Sequence, residues 1–398
     1  MKKTTTLIIL ALLISFFCSN LSYAETLTEV AKDTTNNIIA SEPKRMDLKA
    51  IIFNPDADIK VQDNLNEALY GEVSTIATKG LLEDKMKVTF AQGPVESIAP
   101  WADYNGSLSN IWSGEDYQNT TAGINFLNFG INGKLRDEQT EFKVMISPVK
   151  SIEGNTYFQS FFADNYGVRK IDNHNKILVG NTWIPFGIEG KEAPLTIPFF
   201  CRSQISKTYA TSRAFGSKIM GDYKLLEYNI GGYSSGRFFK DFFPGAEVAG
   251  TLSVKPLGMT DGKWGKVTTG MSMDAGNAES HFFVAGTHLV YEYKRLKATF
   301  EYATADGSNG STGFSSNQSE GCYGTLAYRI TPKLQALIRY DQFEPNKNRA
   351  NDIRTEYTAG INYFIKGQAL KLMLNFVSYT LENGTYGSRI MTGTQIVL

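Results

Sequence analysis

After its first two dozen residues the chain has no long apolar run, and a membrane-spanning helix needs roughly twenty such residues, so a helical membrane protein is excluded. Histidine is scarce. His174, His281 and His288 show no HxxxH spacing, and no GxSxG or Walker-type loop is present, which disfavours a metalloenzyme or hydrolase and calls for no cofactor. Only an accident of folding could turn Ser280-His281 or His288 into a nucleophile–base pair. Cysteine is scarce as well. Cys18 lies near the start, and Cys201 and Cys322 are too few for a disulfide framework: they form one bridge or stay as two separate buried or pore-facing thiols. Charge of one sign is not in excess either, with 40 basic against 40 acidic groups, and nothing there would attract nucleic acid.

What is present begins with Lys2 and Lys3, a short apolar run from Leu7 to Cys18, and Ser22-Tyr23-Ala24 with small residues at the −3 and −1 positions of a cut before Glu25. Those are the three parts of a secretory signal peptide over residues 1–24. Removing it leaves 38 basic and 40 acidic groups. Residues 25–80 differ from the rest. Their polar start and the Leu65, Leu69, Val73, Ile76 spacing suggest a periplasmic or flexible segment with a short amphipathic helix. The whole chain is rich in Tyr (20), Phe (25) and Gly (36) but has 12 Pro. Its average is slightly hydrophilic, as expected when alternate residues face lipid and water.

From about residue 84 onward, segments of period two recur between turns. Met86, Val88 and Phe90 alternate with lysines; Phe142, Val144 and Ile146 flank Lys143; Leu296, Ala298, Phe300 and Tyr302 flank Lys297 and Glu301. Leu334 to Tyr340, Tyr357 to Ile365 and Leu370 to Phe376 repeat the pattern, and SRIMTGTQIVL closes the chain as one more strand. Several apolar faces end in tyrosine (Tyr293, Tyr302, Tyr340, Tyr379), which suggests girdles at a lipid–water boundary. Charges in mid-strand must face water, since a lipid-facing charge costs about 2–4 kcal/mol. Thr331-Pro332 and Lys366-Gly367-Gln368 are short turns, whereas DGSNGSTGFSSNQSE (residues 306–320) and residues 343–354 look like long polar loops. The expectation is an all-β fold: a transmembrane antiparallel up-and-down β-barrel of about 16 strands over residues 81–398. A secreted or surface β-sandwich used for binding, with the same faces turned to core and solvent, is the rival.

Several stretches in order resemble the bacterial phosphate-selective porins O and P. These are GINFLNFGINGKL (residues 123–135), ILVGNTWIPFGIEG (177–190), PFFCRS (198–203), SRAFGSKIMG (212–221), LIRYDQFEPN (337–346) and TAGINYFIKGQALKLMLNF (358–376). The resemblance spans about residues 120–398, and the terminal Leu398 departs from the aromatic usual in such barrels. It implies a 16-stranded outer-membrane porin of a diderm bacterium, commonly a homotrimer, inserted by the barrel assembly machinery. It also implies a loop folded inward to narrow the channel, for which residues 185–209 are the candidate: they lack alternation, and Pro194 and Pro198 would stop them pairing as a central strand.

The expected function is passive diffusion of small hydrophilic solutes across the outer membrane, with phosphate or other small anions as the selective version and a non-selective diffusion barrel as the alternative. No catalysis is expected. The candidate cations are Lys143, Lys294, Lys297, Arg329, Arg339 and Lys371 on the wall, with Arg202, Arg213 and Arg237 near the narrowing. Glu141, Glu292, Glu301, Asp341 and Glu356 would share the lumen with them, so no cationic ladder stands out.

Overall fold

The computed structural model describes residues 86–148, 162–236, 244–260, 262–310 and 313–398. The signal peptide, the predicted helix within residues 25–80 and Arg237 lie outside the described residues.

Alternation of apolar with small or polar residues gives extended chain almost throughout, in seventeen antiparallel strands. They are β1 (Val88–Thr89), β2 (Val95–Ser113), β3 (Asp116–Leu135), β4 (Thr140–Ile146), β5 (Phe162–Lys170), β6 (Asn175–Trp183), β7 (Arg213–Asp222), β8 (Leu226–Ser234) and β9 (Ala246–Val254). There follow β10 (Lys266–Asn277), β11 (His281–Tyr293), β12 (Leu296–Gly310), β13 (Gly313–Thr331), β14 (Leu334–Glu344), β15 (Arg354–Lys366), β16 (Leu370–Leu381) and β17 (Tyr386–Val397). Each strand from β2 onward pairs with its sequence neighbours, and β17 returns to β2 from Gly387↔Ser113 to Val397↔Asp103, so sixteen strands close without an edge. Strand β1 is no stave: the expected strand around Met86 to Phe90 reduces to two residues paired with Ile98 and Ser97, because Gly93-Pro94 turns the chain before the barrel begins.

The faces sort as the period predicts. On β16, Lys371, Met373, Asn375 and Val377 are buried inside while Phe376 is 46% exposed on the outside. Leu289, Phe300, Leu326, Ile338, Ile361 and Leu252 are also exposed outside. Tyr302 and Tyr340 share that outer face, but Tyr379 falls on the Lys371 face, in register with the buried Glu356 and under the Arg354 guanidinium at 4.2 Å. It belongs to no girdle.

One rim carries the start of β2, the end of β17 and mostly brief turns such as Lys294-Arg295 and Pro332-Lys333. The other carries the longer connections, among them residues 345–353 and 184–212. The described residues of 306–320 are not a loop. They continue the β12–β13 ladder through Asp306↔Gln318 and Ser308↔Ser315 around a bulge at Gly307 (φ 71°), with Ser308 and Asn309 buried and the Asn309 amide on the Ser235 carbonyl (2.9 Å) and Glu247 (3.1 Å), so polar composition there marks a hairpin packed on other polar segments.

Candidate functional site

Residues 184–212 leave β6 at one rim, turn into the lumen and return to β7 through a single π-helical turn, Ser206–Ala210. Most of this segment is buried or half-buried inside the barrel. Without regular structure its peptide groups need other partners, and the wall side chains supply them. Gly187 N–H donates to Ser272 Oγ (3.0 Å) and Ile188 N–H to Glu301 Oε2 (3.0 Å). Gln204 N–H meets Asp341 Oδ2 (2.9 Å), and Phe200 N–H meets Asn375 Oδ1 (2.9 Å). In return, Lys371 Nζ donates to the carbonyls of Leu195 (3.1 Å) and Ile197 (3.3 Å), Gln395 to Leu195 (3.1 Å) and Asn362 to Pro198 (2.8 Å). Phe186 and Tyr209 pack edge to face, with Tyr209 also against Phe343 and its hydroxyl 2.7 Å from Ser319 Oγ.

Ion pairs complete the attachment. Glu189, buried in the loop, takes the Ser203 N–H and hydroxyl and lies 3.7 Å from Arg339 of β14. Lys191 reaches Glu227 on β8 (3.0 Å) and Glu192 reaches Lys297 on β12 (3.1 Å). These polar contacts run to β8, β10 and β12–β17, so the loop lies against that part of the wall.

The β5–β7 wall carries a second cluster. Asp164 is shared by Arg213 (2.7 Å) and Lys143 (3.4 Å), and Lys218, buried in mid-strand on β7, donates to the Trp183 carbonyl (3.2 Å). Arg213 stacks on the Trp183 ring at 3.9 Å, Arg202 of the loop on the same ring at 5.2 Å, and Lys143 over Trp101 at 4.9 Å. Arg202 also holds the carbonyls of Glu189 and Glu192. Lys143, Arg213 and Lys218 thus gather near one shared carboxylate, and Arg202, with Glu189 and Glu192 as its opposite charges, joins them at the Trp183 ring; Asp103 on the neighbouring wall is hydrogen-bonded to Asn128 (2.6 Å).

The nine predicted cations therefore separate. Lys143, Arg202 and Arg213 come together. Arg339 and Lys371 hold the loop, Lys297 joins Glu192 and Glu292, and Arg329 lies over Phe364. Lys294 is not on the lumen: it sits in the β11–β12 turn with φ 52°, exposed, over the Tyr293 ring at 5.0 Å, because the strand ends one residue earlier than the alternation suggests. Sequence reasoning missed Lys218, although its place opposite outward Ile219 is the same mid-strand signal that found Lys143. Asp164, Trp101 and Trp183 matter only through contacts across the sheet. Cys201 faces the lumen beside Arg389, whereas Cys322 alternates with inward Tyr323 and so faces outward; both thiols are free.

Residues 265–389 match the family model of the phosphate-selective porins O and P, which bears out the resemblance over β10–β17 and contains its last two motifs. No curated protein matches the chain. Among solved structures, the anion-selective porin from Comamonas acidovorans aligns with a TM-score of 0.55 and 9% identity over 76% of this chain and 99% of that one. OmpF of Salmonella typhi gives 0.55 and 12% over 78% and 100%, and OprB of Pseudomonas putida gives 0.55 and 10% over 80% and 95%. At identities this low the likeness shows the barrel fold alone.

Proposed function

We propose that the chain is an outer-membrane porin through which small hydrophilic solutes diffuse passively, with small anions, phosphate among them, favoured. The observation that carries this reading is the loop of residues 184–212, fastened across the lumen beside the cluster of Lys143, Arg202, Arg213 and Lys218. With the loop held against β8, β10 and β12–β17, the passage runs along the β2–β7 arc and past that cluster. Low-dielectric walls focus the field of each fixed charge there. Asp164 offsets part of the field, so anions are attracted without being held, as conduction requires.

Arg329, Arg339 and Lys371 act on the loop and wall, not on solute. The family match and the apolar outer face support an outer-membrane location. Residues 1–24 deliver the chain to the export pathway, the barrel assembly machinery inserts it, and a homotrimer is the assembly in line with the family resemblance.

The test is reconstitution into a planar bilayer with reversal potentials in a KCl gradient. Conductance steps with anion preference are expected, and Lys218→Glu should move the reversal potential toward cations. Absence of steps would refute the channel, and an unmoved potential would take Lys218 off the permeation path.

A further inference from the structure

Along the short-turn rim from β7 to β14, the turns are Tyr223-Lys224-Leu225, residues 255–265, Lys294-Arg295 and Pro332-Lys333, and the only acidic residue in their sequence is Asp261. The longer connections of the other rim mix signs, as in residues 345–353 with Lys347, Arg349 and Asp352. Basic turn residues are set beside outward aromatic rings. Lys263 lies over the Trp264 ring at 5.4 Å and Lys294 over the Tyr293 ring at 5.0 Å. The two pairs meet: Tyr291 stacks on Tyr293 (6.4 Å between centroids) and its hydroxyl donates to the Trp264 carbonyl (3.3 Å). Arg295 crosses to the Ile330 carbonyl (3.1 Å), which ties the β11–β12 turn to β13. Trp264 is 62% and Met259 65% exposed, so large apolar side chains stand out among these cations.

An amphipathic ring with a cation at its polar end fits the boundary between acyl chains and headgroups. We propose that this arc, centred on Lys263, Trp264, Tyr293, Lys294 and Arg295, binds anionic phospholipid headgroups of the periplasmic leaflet. The rings and Met259 enter the boundary while the cations take the phosphates. The assignment rests on the barrel lying in an outer membrane, and conductance reads that premise separately.

Detergent-purified protein is incubated with equimolar phosphatidylglycerol and phosphatidylcholine, and retained lipid is read by native mass spectrometry. Wild type is expected to retain phosphatidylglycerol preferentially. The variant Lys263→Gln/Lys294→Gln/Arg295→Gln should lose about fivefold of that preference per charge removed and keep wild-type conductance. Lys263→Arg/Lys294→Arg should retain the preference, as should the opposite-rim control Lys347→Gln/Arg349→Gln. Equal retention of both lipids by wild type, an undiminished preference in the triple variant, or displacement of the lipid by millimolar inorganic phosphate would each overturn the proposal. Lost conductance in the triple variant with the lipid preference intact would overturn it as well.

Discussion

At Gly187 (φ 66°) an added β-carbon would collide with the Glu301 carboxylate, the group that accepts the Ile188 N–H and the Tyr323 hydroxyl. Only glycine accommodates both the left-handed backbone and that approach. Gly187→Ala is expected to lift the Pro-Phe-Gly turn off the wall, giving larger and noisier single-channel steps from a barrel that still shows the heat-dependent gel mobility of a folded porin. Lys371 poses a related test, because it is fully buried and its ammonium holds two loop carbonyls and Gln368 Oε1 (2.9 Å). Lys371→Met keeps the stem and orphans those acceptors, at about 1–3 kcal/mol for each buried group left unpaired. The expected result is flickering conductance together with a lowered unfolding temperature in detergent. Unchanged steps would mean that the loop needs no such fastening. Asp137, in the β3–β4 turn, shows the opposite economy of burial: the Thr140 hydroxyl and the N–H groups of Thr140 and Gln139 stabilise its exposed carboxylate and hold it below the usual range. Its contribution is present above the unfolded value of about 3.9 and is lost as pH falls through the lowered folded value. Protection of the Gln139 and Thr140 amides, relative to their intrinsic exchange rates, should therefore fall only in acid, and Asp137→Asn should remove that dependence.

Elements differ in how much of them the sequence made readable. Strands β11, β12 and β14–β16 announce themselves by alternation in their central parts, where inward positions face other wall residues or the loop and most outward ones are apolar. The β12–β13 hairpin defeats the same rule. Where a strand packs on other polar segments, as Ser308 and Asn309 do, alternation vanishes and serine, glycine and asparagine look like loop, although the ladder continues. The inward loop was recognisable from its lack of period and its prolines, yet its side-chain contacts were not, because most join residues far apart in the chain, as Ile188 to Glu301 and Gln204 to Asp341. Arg339 and Arg213 look alike in sequence: basic residues in or beside strands. One pairs with a loop carboxylate and the other with Asp164 across the sheet, and only the register separates a loop anchor from a member of the second cluster.

On the scale of the whole barrel, the two wall faces decide what each residue can do. Leu372, on the outer face of β16, and Lys371, on the inner, are adjacent in sequence and separated by the sheet. Leu372→Arg would place a charge toward lipid at a cost of about 2–4 kcal/mol. Its folded fraction on assembly into lipid vesicles should drop well below that of Leu372→Ala, and equal yields would contradict the assignment of faces. The same separation governs the cysteines. With Cys201 in the lumen and Cys322 outside, no bridge can form, and thiol titration of protein lacking residues 1–24 should count two free groups even after mild oxidation.

The sequence by itself determined the architecture: period-two segments, mid-strand charges, short turns on one rim and a proline-rich interruption suffice, because a closed sheet between lipid and water constrains every second residue. Tertiary structure decided which charges gather in the second cluster and which hold the loop. That depends on where the loop lies against the wall and on sheet register, both fixed by contacts between residues distant in the chain, and so Lys218 entered the cluster while Lys294 left the lumen for the rim.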